Sequence, residues 1–221
     1  MINSELEKKD WLGREGILNI YKPKGITSFQ AVAMVRRLTG IKKVGHAGTL
    51  DPLAEGVLVV AVGRKFTKQL ANLVEKEKEY IAEIKLGETS TTDDEEGIKA
   101  KIDFSKIPTQ DELLKTMTDF LGEIQQVPPI FSASKISGEA AYKKARRGEN
   151  FNPGAHSVFI KSIDLIEYQF PLAKIKVVTG PGVYIRSLAR DIGRKLKTGG
   201  YLASLVRIRV GQFKAENAKR I

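Results

Sequence analysis

The chain has 221 residues, enough to bury a sizeable core in one large domain or two small ones. It contains no cysteine, which excludes disulfides, thiolate metal sites and cysteine nucleophiles. Its 37 Lys and Arg outweigh 26 Asp and Glu, and the resulting net charge of +11 points to a polyanionic partner, most simply nucleic acid, although a basic soluble protein without such a partner has the same composition.

The opening "MINSELEKKDW" has acids and no apolar core, so it does not read as a secretory signal, and residues 1–15 are expected to form a polar, frayed extension. "GILNIYKP" reads as a strand ending at Pro23. "KPKGITS" is a turn whose Thr27 or Ser28 caps a helix running to about Thr39, stopped by Gly40. A loop follows over 44–56, then the apolar strand "GVLVVAVG", far too short to span a bilayer. The spacing of Phe66, Leu70, Leu73 and Val74 predicts a helix from about Lys65 to Lys76. "EYIAEIKLGE" alternates, which puts Tyr80 on the inward face of a strand with Ala82, Ile84 and Leu86.

"TTDDEEG" is an acidic turn, and Thr109 with Glu112 forms a capping box for a helix to about Leu121. Residues of about 124–154, rich in Pro, Gly and cations, read as an irregular basic segment with one short helix from Ala140 to Arg147. Two strands are expected near Val158–Tyr168 and Ala173–Thr179, then a glycine turn and a helix over Ser187–Lys197. "SLVRIRVGQF" alternates, with Leu205, Arg207 and Arg209 on one face. Strands and helices without regular alternation predict an α+β fold with a mixed, mostly antiparallel sheet, organised as one domain over residues 16–221.

Positive charge is concentrated towards the C-terminus. From Arg186 to Lys214 eight cations face a single acid, Asp191, and "KKARR" adds Lys143, Lys144, Arg146 and Arg147, the arrangement a nucleic-acid face requires. There is no phosphate-binding GxxxxGK[ST] loop and no GxGxxG after a strand, so no nucleotide cofactor is expected. His46 and His156 are too far apart in sequence to predict a metal site. Asp51, in "VGHAGTLDPLAEG", stands out. Pro52 pushes it towards extended backbone, and the small residues before it leave room for a bulky partner. An aspartate there is also a routine turn residue.

"GHAGTLDPLAEGVLVVAVG" resembles the signature of the TruB family, the bacterial tRNA pseudouridine-55 synthases. "LNIYKPKGITS", "KEYIAEIKLGETSTTDDEEG", "VPPIFSASKISGEAAYKKARRGE" and "GPGVYIRSLARDIG" resemble four further blocks of the family, all in family order between about residues 16 and 213. The resemblance implies a pseudouridine synthase fold and an isomerase that needs no cofactor and no metal. It implies that Asp51 is the catalytic aspartate, and that Tyr80 is an active-site tyrosine that stacks on the target base. Tyr184 and Arg186 match the family's Tyr-x-Arg pair, whose arginine forms an ion pair with the aspartate. Leu205 aligns, more loosely, with an apolar residue lining the uracil pocket, and His46 with a histidine that enters the tRNA T-loop. Lys22, Lys143, Lys144, Arg146 and Arg147 are expected to contact RNA phosphates.

Phe131 stands where members commonly carry tyrosine. Many members continue into a PUA-type RNA-binding domain, whereas this sequence stops at Ile221, which fits either a stand-alone catalytic domain or a truncated chain. The expected partner is the T-arm of tRNA, met in the cytoplasm by a monomer that needs no protein partner and no membrane. Two rivals share the pattern: a non-catalytic RNA-binding module or tRNA-folding chaperone, and a guide-RNA-dependent synthase subunit of the dyskerin kind.

Overall fold

The computed structural model describes residues 11–132, 134–136 and 138–221, so the expected extension over residues 1–10 lies outside the described residues. The chain is mixed α+β and divides into two compact units, one of residues up to Ile81 with Leu205–Ile221, the other of Ala82–Ser204.

The first unit is organised around β3 (Glu55–Val62). On one side β3 pairs antiparallel with β1 (Gly16–Lys22), from Gly16 opposite Val62 to Lys22 opposite Gly56. On its other side β2 (Val44–Ala47) pairs antiparallel with Val59–Val62, and β12 (Gly200–Val210) pairs in parallel with Glu55 and Gly56. Short strands β13 (Phe213–Lys214) and β14 (Lys219–Arg220) join β12 and β1. The run Val57–Val62 is completely buried because both faces are covered. Leu58, Val60 and Val62 pack with Ile20, Val32 and Val35, while Val57 and Val59 pack with Val210, Leu70 and Leu73.

The first face is covered by α1 (Ser28–Thr39). Thr27 caps it in a box with Gln30, and Gly40 ends it in left-handed backbone at φ 73°. Trp11 is also in this core at 3% exposure, and Gly13 N–H donates to Thr39 O at 2.9 Å. Residues 11–15 are therefore anchored rather than frayed, through the buried Trp11 ring and the Gly13 hydrogen bond. The helix expected over 65–76 is two pieces, α2 (Arg64–Thr67) and α3 (Leu70–Val74). Gly45 allows α3 its seat, since a Cβ there would lie 2.8 Å from Leu70 Cδ1.

In the second unit, β4 (Lys78–Leu86, shared at the boundary), β11 (Leu172–Thr179), β10 (His156–Gln169) and β7 (Gly122–Gln126) follow one another in a sheet. β10 pairs antiparallel with both β11 and β7. Two small ribbons, β5 (Glu88–Ser90) with β6 (Lys99–Lys101) and β8 (Lys135–Ile136) with β9 (Glu139–Ala140), lie outside that sheet. The helices are α4 (Gln110–Thr118), capped by the Thr109–Glu112 box, α5 (Ala141–Arg146) and α6 (Ile185–Lys195). Among the described residues no helix is long and apolar enough to cross a membrane.

Candidate active site

The loop that carries Asp51 is held by its neighbours in sequence and space. Ser28, the first residue of α1, is buried; its hydroxyl donates to Leu50 O and accepts from Leu50 N–H, both at 2.9 Å. Gly25 N–H donates to Pro52 O at 2.8 Å, and Ala54 N–H closes a turn on Asp51 O at 3.1 Å. Leu50, Leu53 and Ala54 are buried, which leaves Asp51 half-buried between fixed residues. Lys22 belongs to this support rather than to a surface. It is fully buried, and its ammonium donates to Pro23 O at 2.9 Å and Ile26 O at 2.7 Å. The expected phosphate contact by Lys22 is corrected accordingly: the charge lies inside the fold, where carbonyls solvate it.

Arg207, from β12, feels the charge of Asp51. It is 2% exposed, donates from Nε to Val57 O at 2.8 Å and from Nη2 to Gly48 O at 2.9 Å, and hydrogen bonds to Tyr80. Asp51 is electrostatically coupled to both Arg207 and Tyr80. Burial pushes the Tyr80 phenol up, Arg207 opposes that shift, and Asp51 adds to it, so Tyr80 stays protonated at neutral pH. Burial lowers Arg207, against the attraction of Tyr80 and Asp51, yet a guanidinium stays charged at neutral pH. Leu205, two residues earlier on the same face of β12, is also buried.

His46, on β2, is half-buried. Its Nε2 lies 3.2 Å from Thr49 Oγ1, and burial, then Arg207, lowers its pKa. Lys78, the first residue of the "KEYIAEIKLGETSTTDDEEG" block, joins this cluster although the resemblance implies no role for it. It is 7% exposed, donates to Lys76 O at 2.7 Å, and is lowered to about 8 by burial and by Arg207, with Glu75 opposing. In sequence Arg207 is only one cation of a basic run. The signal that separates it is its place in register with buried Leu205.

The second unit holds the other expected residues. Tyr184 precedes α6, and its backbone is clamped by Gln126, which accepts from Tyr184 N–H at 2.8 Å and donates to Tyr184 O at 3.2 Å. Arg186 is buried, donating to Thr92 O at 3.2 Å and Phe131 O at 2.9 Å, with Asp94 Oδ2 at 3.5 Å. Lys143 and Arg146 are exposed on α5, and the Arg146 guanidinium lies over the Tyr142 ring at 5.6 Å. Arg147 is engaged by Glu139 at 2.7 Å and Glu149 at 2.6 Å, and Lys144 lies 3.5 Å from Glu149. The C-terminal basic run is likewise thinner at the surface than in sequence. Arg190 pairs with Asp93 and Asp191, and Arg209 with Glu77 and Glu79.

Comparison with known proteins places the chain in a family. The model of the TruB family pseudouridylate synthase N-terminal domain matches residues 36–185. The chain is similar to tRNA pseudouridine synthase B of Chlamydia felis (strain Fe/C-56), with 44% identity over 200 residues, covering 90% of this chain and 84% of that one. It is also similar to tRNA pseudouridine synthase B of Dehalococcoides mccartyi (strain CBDB1), with 46% identity over 207 residues, covering 92% of this chain and 68% of that one. Among solved structures it resembles a chain of a Cbf5-Nop10-Gar1 complex, with a TM-score of 0.74 and 30% identity, covering 96% of this chain and 54% of that one. The class these matches define is that of the RNA pseudouridine synthases, which are isomerases. Within that class, the chain belongs to the TruB family.

Proposed function

We propose that the chain converts a uridine of tRNA, position 55 of the T-loop, to pseudouridine, with Asp51 as the acting carboxylate. The observation that carries this reading is the cluster of Asp51, Tyr80 and Arg207 behind a loop fixed by Ser28 and Gly25. The reaction breaks the N1–C1′ bond of uridine, turns the uracil, and forms a C5–C1′ bond. C5 then loses its proton and N1 carries one, so atoms and electrons balance without a redox partner or a co-substrate.

A base inside a folded loop has to leave its stack before a carboxylate can reach its sugar. Asp51 then acts on the ribose, either by bonding to C1′ or by taking the C2′ proton, and the positive field of Arg207 favours its anionic form. Tyr80 supplies an aromatic face for the base and, protonated at neutral pH, a hydroxyl for proton transfer. Leu205 lines the uracil pocket. Tyr184 and Arg186 contribute to substrate binding, and Lys143, Lys144 and Arg146 to phosphate contact, while Arg147 is held by Glu139 and Glu149. The enzyme acts in the cytoplasm as a monomer without a protein partner. Its 44% identity to tRNA pseudouridine synthase B, against 30% to the Cbf5 chain, favours a stand-alone enzyme over a guide-dependent subunit.

The test is to map modified uridines in tRNA, and in a bare T-arm hairpin, treated with the parent or with Asp51→Asn. Conversion at a single T-loop uridine by the parent, abolished in Asp51→Asn while RNA binding survives, is the expected result. Turnover by Asp51→Asn within a few-fold of the parent would remove Asp51 from the chemistry. Binding without conversion by the parent would favour the chaperone.

A further inference from the structure

Lys78 is a buried cation that the proposed reaction does not use. It opens β4, two residues before Tyr80 and on the same buried face of the strand. Its stem reaches the turn that leads to Asp51. A Cβ on Gly48 would lie 3.7 Å from Lys78 Cε and 3.4 Å from Arg207 Nη1, so the two cationic side chains flank the same residue. Arg207 donates to Gly48 O at that place, and hydrogen bonds to Tyr80 as well. Lys78 is held where it is: its ammonium donates to Lys76 O at 2.7 Å, and Gly211 N–H donates to the neighbouring Glu77 O at 2.8 Å. Burying an ammonium beside a guanidinium costs stability that an apolar side chain would not. Such a conflict within a fold is the mark of a functional position.

Resting on the proposed action of Asp51 on RNA, we infer that Lys78 is a positioning residue of the active site, whose ammonium, by repulsion across Gly48, keeps the Arg207 guanidinium turned to Tyr80 and Gly48 O. Like charges in a buried site repel with little screening. A neutral amine loses that repulsion and gains a lone pair that accepts from a guanidinium, which draws Arg207 away from Tyr80. The site is therefore competent while Lys78 is charged. Among the described residues, the groups that act on Lys78 are Arg207 from β12, which with burial lowers it to about 8, and Glu75 after α3, which raises it. Tyr80 shares its strand. Asp51 and His46 meet it through Arg207, to which both are coupled, and Glu77 and Glu79 are engaged by Arg209.

Two measurements between pH 6.5 and 9.5, on the parent, Lys78→Met and Lys78→Arg, test this. The first follows the Tyr80 Cζ resonance in protein labelled with carbon-13 tyrosine, without RNA; burial keeps the ionisation of Tyr80 itself above this range. In the parent the resonance is expected to move with a midpoint near pH 8, and in both variants to stay constant. The second is the single-turnover rate with a saturating T-arm hairpin. The parent is expected to slow about tenfold through the same midpoint. Lys78→Met is expected to be about tenfold slower at pH 7 and flat, with RNA affinity within about twofold of the parent, whereas Lys78→Arg, which stays charged, keeps the pH 7 rate to pH 9.5. A Tyr80 resonance that is constant in the parent, or a rate limb near pH 8 that persists in either variant, would overturn the inference. The resonance is read without turnover, so it decides the role of Lys78 whatever Asp51→Asn shows about the catalytic reading.

Discussion

Gly56 lies against the backbone of Arg207. A Cβ on Gly56 would stand 2.2 Å from Arg207 O and 2.9 Å from Arg207 N, and Gly56 has φ 108°, a conformation that side chains avoid. The glycine at the end of the Asp51 loop therefore lets β12 approach β3 closely enough for the Arg207 guanidinium to reach Val57 O and Gly48 O. Gly56→Ala is expected to destabilise the fold by about 3 kcal/mol, the upper part of the range for single substitutions, because backbone rather than a mobile side chain blocks the methyl group. Denaturant melts check this, and a change below about 0.5 kcal/mol would mean that the strands can separate without cost.

Arg207 itself separates stability from chemistry. Arg207→Met removes a buried charge and leaves the carbonyls of Gly48 and Val57 without the donor they have, so a loss of about 3–5 kcal/mol is expected. Arg207→Lys keeps the charge but cannot present a planar fork to two carbonyls and a phenol at once. It is expected to fold, with kcat reduced about a hundredfold, or about 2.7 kcal/mol of transition-state stabilisation. Single-turnover rates with saturating RNA check this; a Lys variant as fast as the parent would mean that Arg207 holds the loop only through its charge.

Lys78 gives a pH dependence with a definite sign. Its folded pKa of about 8 is below the usual lysine value of 10.5, so the unfolded chain binds more protons between those two values, and stability rises with pH across that window. Below pH 8 the cost of burying the ammonium is fully present. Lys78→Met should therefore be more stable than the parent at pH 7, by about 1–2 kcal/mol after allowance for residual solvent access, and the difference should shrink towards pH 10. Melting curves of both proteins at pH 7, 8.5 and 10 check this. A difference independent of pH would mean that Lys78 is solvated as well in the fold as in the open chain.

What can be read in the sequence is local. The Thr27–Gln30 and Thr109–Glu112 boxes, the stop at Gly40 and the inward side of Tyr80 each depend on residues within a turn or on strand alternation. Asp51 stands out by its small neighbours and by resemblance. What cannot be read depends on partners far along the chain or on the course of the backbone around a side chain. Lys22, Lys78 and Arg207 look like surface cations in sequence; carbonyl oxygens of Pro23, Lys76 and Gly48 make their burial possible. The break between α2 and α3 has no Pro or Gly to announce it.

The basic segment offers a comparison within one helix turn. Lys143 and Arg146 are exposed on α5, whereas Arg147 is gripped by Glu139 and Glu149, which would have to release it before it met a phosphate. Each phosphate deprived of its cation should lower the slope of log K against log salt by about one, uniformly across RNA sequences. Lys143→Gln and Arg146→Gln are therefore expected each to weaken RNA binding and flatten the slope by about one unit, while Arg147→Gln changes it by less than about half a unit. Titrations of a T-arm hairpin at several salt concentrations check this. A change for Arg147→Gln as large as for Lys143→Gln would show that the two glutamates yield Arg147 to RNA on binding, and equal slopes for all three variants and the parent would remove this helix from the RNA interface.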